Sequence, residues 1–438
     1  MPELAIQGGS AVIPRAESQV AWPVVTAEDK EAVMRVMESG KFTYLAQGEQ
    51  EVQGLEEEWA RFVQTRYCVA VSNGTVALAL SLTALGVCPG DEVLVPALSF
   101  IASAIAPLHQ CAIPVFVDID PRTFNIDPQR MREKITPRTR AVIVVHLHGL
   151  PADMDEIRAI AREHNLFVIE DAAQSHGATY KGQQTGALGE IATFSLNVSK
   201  NLPTCGEGAL VTMQSPQLAE KMRMLRQYGE VITPGQERSY TSHFLGWNQK
   251  PNCIQAAFAR SQLSRFPAYQ ARRQENVTRL LAALADLPGV SCPLCPQDRT
   301  HAWHIIRLRF DPRAAGLDDL PADLFREALQ RVLRSEGVPL ARYQRVPLPA
   351  QQVFQSREGF GGGHPWTLPD VPPQRYCAQD YPQTLAVLAD SLTVQRVHLH
   401  PASGPLLDRY AEAFHKVFAH LDVVARLARS IGRRRDQQ

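Results

Sequence analysis

The stretch from Val168 to Gly208, VIEDAAQSHGATYKGQQTGALGEIATFSLNVSKNLPTCGEG, constrains this chain more than any other. It grows out of an apolar run, Leu166-Phe167-Val168-Ile169, that stops at Glu170-Asp171. A continuous apolar run closed by acids predicts a parallel strand buried on both faces, delivering a carboxylate at its C-terminal edge. Open α/β sheets bind their ligands at that edge. A second strand-like piece, Ile191 to Leu196, carries Ser195 near its end, and the loop after it carries Lys200. Gly182, Gly186, Gly189, Gly206 and Gly208 punctuate the loops between.

An acid, a hydroxyl and a lysine at the ends of buried strands match what pyridoxal 5'-phosphate asks of a protein. The aldehyde needs a lysine amine for a Schiff base, the pyridine nitrogen needs a carboxylate, and the phosphate needs hydroxyls and backbone N–H groups. Lys200, Asp171 and Ser195 suit those tasks in that order, and Gln174, three residues past the acid, is within reach of the ring hydroxyl. Each residue alone has a blander reading. A strand-end Asp is often a helix cap, and a loop Lys is usually solvated. Their combination is the specific signal.

These residues carry a resemblance to the DegT/DnrJ/StrS family of pyridoxal-phosphate sugar aminotransferases. It rests on VIEDAAQSHGA at 168–178, on FS at 194–195 with Lys200 five residues after the serine, and on GEG at 206–208. It extends through SNGTVAL (72–78), PALSFIASA (96–104), VVHLHGLPADM (144–154) and LGWNQK (245–250). It covers about residues 20 to 265 clearly and the C-terminal third more loosely. The resemblance implies fold type I: a large domain with a mostly parallel, helix-covered seven-stranded sheet, and a smaller C-terminal α+β domain. The expected division is 1–265 and 266–438. It also implies that Gly74 and Thr75 hold the cofactor phosphate, that Phe100 stacks on the pyridine, and that Asn248 reaches the partner's phosphate across a homodimer. From local sequence alone, Gly74-Thr75 reads as an ordinary helix start and Phe100 as core. The family has Asn-Tyr-Arg where this chain has Asn248-Gln249-Lys250, a departure that bears on substrate binding rather than on the cofactor.

The rest of the chain reads in order. The first twenty residues have no clear period and are expected to form an arm. A helix is predicted from Thr26 to Gly40, with early acids at its positive end, and a second carries Val52, Leu55, Trp59 and Phe62. From Tyr67 strand and helix alternate, the pattern of a covered parallel sheet. The strand candidates are Cys68–Val71, Glu92–Val95, Val115–Val117, Ala141–Val145 and Ala209–Met213, besides the two central ones. Helices follow at 154–164, around Leu218-Met222-Leu225, at 254–263 and at 269–287. In the C-terminal third, Trp303–Phe310 reads as a strand, Ala322–Glu336 as a helix, Gln351–Pro382 as a loop, and IGRRRDQQ as a solvated tail.

Other chemistries find little support. Lys+Arg and Asp+Glu balance at 45 each, so charge gives no argument for nucleic acid or an anionic membrane. No charged-then-apolar leader and no apolar run of about 18 residues occurs, and the chain reads as cytoplasmic. Eight cysteines in 438 residues do not make a disulfide framework. Cys292-Pro-Leu-Cys295 lacks a second pair, and His146 and His148 lack a third ligand, so no metal is expected. GFGGGH has no Lys-Ser/Thr after it, and neither GxGxxG nor HExxH occurs. The missing glycine fingerprint lowers a nicotinamide-binding protein.

The expected activity is ping-pong transamination through a Schiff base on Lys200. The donor is L-glutamate or L-glutamine, and the acceptor a keto sugar, nucleotide-linked or cyclitol. Two alternatives stand beside it. A sugar dehydratase of this family carries histidine in place of the lysine. A catalytically silent, regulatory relative is the other.

Overall fold

A computed structural model describes residues 3–17, 20–232 and 237–437. Seven strands form the principal sheet: β1 (Tyr67–Val71), β2 (Glu92–Pro96), β3 (Ile113–Val117), β4 (Thr139–Val145), β5 (Phe167–Asp171), β6 (Ile191–Ser195) and β7 (Ala209–Met213). Their order across the sheet is β1-β7-β6-β5-β4-β2-β3. Strands β3 to β6 run parallel through β2, whereas β7 is antiparallel to both β1 and β6. The near-continuous apolar runs fit this arrangement, because β2, β6 and β7 are buried at every residue.

The sheet's direction places the site. Since β1 and β6 both oppose β7, their C-terminal ends lie at one edge with that of β5. Val71 and Ser195 both pair with Ala209, which brings the ends of β1 and β6 to either side of one residue. The helix Gly74–Ala84 starts there, capped by Asn73, whose side chain accepts from Val76 N.

The expected helices at 254–263 and 269–287 are one helix, Cys253–Leu284, which continues across Pro267. A mid-helix proline loses one backbone bond and crowds the preceding turn, at about 3 kcal/mol. Burial on both sides of it offsets that cost. Ala257, Ala259 and Phe266 pack with Trp59 and Phe194, and Val277, Leu280 and Leu284 pack under a second sheet.

That second sheet has three antiparallel strands, Val290–Ser291, Ile305–Phe310 and Ser391–Gln395. Helices Ala322–Ser335, Gly404–Phe418 and Leu421–Asp436 pack around its core. The tail expected at 431–438 is, up to Asp436, the last turns of that final helix, and Ile431 is buried in the core. The N-terminal residues also do more than extend as an arm. Leu4 and Ile13 are buried in the same core, and Glu336 accepts from Ala5 N at 2.8 Å and Val12 N at 3.0 Å.

Gln351–Pro382 is mostly irregular, as expected, yet it is a strap and not a solvent loop. Phe354, Trp366 and Tyr376 are buried against Phe116 of β3, and the Tyr376 hydroxyl donates to Pro114 O at 3.1 Å. No helix among the described residues is long and apolar enough to cross a membrane.

Candidate active site

A cavity of about 620 Å³ opens at the edge where β1, β5 and β6 end. Gly74, Thr75, Phe100, Asp171, Gln174, Ser195 and Lys200 all line it. Asn248, the eighth residue singled out in the sequence, does not.

Asp171 is the buried acid at the end of β5. Its Oδ2 accepts from Ser103 Oγ at 2.8 Å and its Oδ1 from Ala173 N at 3.2 Å. Ser103 is in turn 3.0 Å from Ser99 Oγ, so the carboxylate is held by a two-hydroxyl relay. Ser195 Oγ accepts from Asn197 N at 3.3 Å. Gly74 abuts Ser195 so closely that a Cβ on it would meet Ser195 Cβ at 2.9 Å. Only glycine lets the helix start approach β6 this way.

Lys200 is fixed by its backbone, donating to Asn197 O at 2.8 Å and accepting from Trp22 Nε1 at 3.1 Å. Among the described residues its amine makes no ion pair. Desolvation lowers the pKa of that amine from the ordinary lysine value, against the pull of Asp171 and Glu207. A lowered lysine has a larger neutral fraction, the form that attacks a carbonyl or takes a proton.

Gln174 spends its carbonyl oxygen on His148 N, at 2.8 Å. His148 accepts from Arg307 Nε at 2.9 Å, and burial beside that guanidinium holds its imidazole well below the usual range. His146 Nδ1 accepts from Ala152 N, so its Nε2 proton points to Glu170, 2.9 Å away. Both histidines are thus hydrogen-bonded polar groups, as read from the sequence. Phe100 is 55% exposed, presenting its ring to the cavity and not to the core.

Asn248 is exposed and accepts from Lys250 Nζ. Its neighbour Gln249, one of the departures from the family pattern, latches the end of β1. Its main-chain carbonyl takes Ser72 N at 3.1 Å, and its side-chain oxygen takes Ser72 Oγ at 2.6 Å.

Sequence reasoning missed Ser103, Glu207, His304, Tyr343, Gln395 and Arg396. Ser103 left one trace, a hydroxyl inside an alanine-rich apolar helix. Glu207 lies inside the GEG motif itself, and the other four line the cavity from distant segments. His304 Nδ1 lies 3.0 Å from Asn201 Oδ1, and burial pushes the Tyr343 phenol up to about 12.

Comparison with known proteins agrees with this geometry. A model of the DegT/DnrJ/EryC1/StrS aminotransferase family matches residues 23–364. The chain is 37% identical over 350 residues to the dTDP-3-amino-3,4,6-trideoxy-alpha-D-glucose transaminase of Streptomyces venezuelae, covering 78% of this chain and 90% of the relative. It is 38% identical over 322 residues to the L-glutamine:2-deoxy-scyllo-inosose aminotransferase of Streptomyces lividus, covering 70% and 74%. The crystal structure of S. venezuelae DesV in complex with ketimine intermediate superposes with a TM-score of 0.74 at 32% identity, covering 90% of this chain and 94% of that one.

Proposed function

The chain belongs to the DegT/DnrJ/EryC1/StrS aminotransferase family, and from that premise we propose that it carries an amino group from L-glutamate or L-glutamine to a keto sugar, nucleotide-linked or cyclitol, with pyridoxal 5'-phosphate in the strand-edge cavity. Its α/β architecture is that of fold-type I aminotransferases.

The residues present fit that cofactor. The start of helix Gly74–Ala84 offers backbone N–H groups beside the Thr75 and Ser195 hydroxyls, a donor set suited to a dianionic phosphate. A Cβ at position 74 would collide with Ser195. Asp171 is the buried carboxylate, and Lys200 is the one lysine among the lining residues. When bound, the cofactor supplies an aldehyde that links to amines and a ring that takes up the electron pair left on the donor carbon.

The chain's own groups do the rest. Asp171, clamped by Ser103, keeps a fixed negative charge in place to hold a proton on the pyridine nitrogen. Lys200 Nζ anchors the cofactor at rest. Once the donor amine displaces it, Lys200 takes the proton from the donor Cα and returns it as an acid. The acceptor half repeats these moves in reverse. One observation carries this reading: a lysine amine with no ion pair among the described residues shares a cavity with a clamped buried aspartate. Asn248 is assigned to the partner subunit's phosphate in a homodimer, which agrees with its place outside its own chain's cavity.

Borohydride reduction and peptide mapping should place the cofactor on Lys200; a label on Lys181 or Lys250 instead overturns the assignment. L-Glutamate or L-glutamine without acceptor should bleach the cofactor's visible absorbance and release one equivalent of 2-oxo acid. For Asn248, refolding Lys200→Ala and Asn248→Ala chains together should restore activity that neither has alone. Mixed dimers that stay inactive would remove Asn248 from the shared site.

A further inference from the structure

Strand β1 lies at the rim of the principal sheet and pairs with β7 on one side. An edge strand leaves a row of main-chain groups without a strand partner, and something must cover them. Near the middle of β1, Ala70 N donates to Glu56 Oε1 at 2.8 Å, and Ala70 O accepts from Arg226 Nη1 at 2.8 Å. Arg226 and Glu56 also pair with each other at 2.6 Å. Two residues on, where the chain turns from β1 into helix Gly74–Ala84, the cover is Gln249. Its N–H donates to Arg226 O at 2.9 Å, and its carbonyl takes Ser72 N.

The main chain alone closes that rung; the Gln249 side chain starts a relay from it. Ser72 Oγ donates to Gln249 Oε1 at 2.6 Å, which leaves its lone pairs to accept from Asn73 Nδ2 at 3.3 Å. Asn73 Oδ1 then accepts from Val76 N at 3.0 Å and caps the helix. With its nitrogen spent on Ser72 and its oxygen on Val76, the Asn73 amide has one orientation. The helix start that it caps carries the N–H groups offered to the cofactor phosphate, and Gly74 is packed against Ser195 with no room to shift. Position 249 is also one of the departures from the family pattern. We propose that Gln249 is a positioning residue for the cofactor phosphate. By holding Ser72, and Asn73 through it, Gln249 fixes the direction in which the start of helix Gly74–Ala84 presents its N–H groups. The identity of the ligand rests on the transaminase reading.

Equilibrium binding of pyridoxal 5'-phosphate to the cofactor-free protein tests this. Gln249→Met, which keeps the length and loses the acceptor, should bind it about three- to tenfold more weakly, the worth of one neutral hydrogen bond. Ser72→Ala should lose a similar factor. The double variant should be no weaker than the worse single one, because both changes break one chain of bonds. Ser72→Thr, which keeps the hydroxyl, should recover part of the loss. Glu56→Gln loosens the same edge farther from the helix start, so it should lower the urea midpoint and leave the affinity near native. The visible spectrum of each loaded variant should match the native one, since the ring's partner Asp171 is untouched. Unchanged affinity in Gln249→Met, additive losses in the double variant, or an equal loss in Glu56→Gln overturns the proposal. A shifted spectrum also overturns it, by placing the effect at the ring. If borohydride leaves Lys200 unlabelled while affinity still follows Gln249 and Ser72, the transaminase reading falls and the latch stands. If Lys200 is labelled and affinity ignores Gln249, the latch falls and the transaminase reading stands. A native protein that binds no pyridoxal 5'-phosphate overturns both.

Discussion

Glu170 and Asp171 are adjacent acids on one strand, and they face opposite sides of the sheet because successive strand residues must. Glu170 is fully buried and saturated: His146 Nε2 and the N–H groups of Gly186, Leu188 and Gly189 all donate to it within 2.9 Å. It folds the 182–189 loop around itself. Asp171 has two donors, Ser103 and Ala173, and its remaining capacity faces the cavity. The same chemical group is therefore structural on one face and available on the other. Saturation, not burial, separates them.

The sharpest way to break this comparison is to remove each charge in turn. Asp171→Asn should cut kcat about a thousandfold, the scale of losing a preorganised electrostatic partner, while the urea midpoint of the cofactor-free protein barely moves. Glu170→Ala should do the reverse. It strands three backbone N–H groups and His146 without an acceptor, costing roughly 3–5 kcal/mol of stability. Activity per folded molecule should stay near native at low temperature. If Asp171→Asn unfolds the protein, or Glu170→Ala abolishes turnover in a folded one, the two roles are assigned wrongly.

The sequence made one half of this pair legible and not the other. Asp171, Ser195 and Lys200 announce themselves because strand ends leave a local mark, an apolar run that stops at a polar residue. Glu170 bears the same mark, and only the loop folded beneath it shows that its capacity is spent. Residues contributed from afar leave no mark at all. Tyr343, Gln395 and Arg396 reach the cavity from segments whose periodicity speaks only of their own strand or loop. The same limit explains the errors of fold. Pro267 is a local helix breaker, overruled by packing on both sides. Trp366 and Tyr376 sit among glycines and prolines that read as a loop, and only β3 makes them core. The arginine-rich C-terminus read as solvated, although its helix packs on the helix Ala322–Ser335 and buries Ile431 in the C-terminal core.

A smaller effect sharpens the Asp171 side. Ser103 is its strongest donor, and Ser103→Ala leaves Ala173 N alone to position the carboxylate. Losing one hydrogen bond to a charged group is worth roughly 1.5–3 kcal/mol. That loss should appear as a ten- to hundredfold fall in kcat with KM nearly unchanged. Ser103→Thr, which keeps the hydroxyl, should recover part of it. An equal fall for both variants would point to crowding in the alanine-rich helix and not to the relay.

The smallest effect concerns the cost of keeping an amine ready. In the cofactor-free protein, desolvation depresses the Lys200 pKa below its unfolded value. The unfolded chain therefore binds the proton more tightly than the folded one, and stability must rise with pH between the folded and unfolded pKa values. Below the folded pKa the protonated amine carries its full penalty, and above the unfolded value of about 10.4 the penalty is gone. Lys200→Met keeps the aliphatic stem and removes the charge, so the cofactor-free variant should be slightly more stable than native at neutral pH. Urea midpoints measured upward in pH should show that advantage shrinking toward pH 10. Glu170 offers the contrast, since neutralising it with Glu170→Gln should destabilise at neutral pH. A Lys200→Met advantage that is absent, or that grows with pH, would mean the amine is not held at a cost, and the cavity would lose its strongest mark as a reactive site.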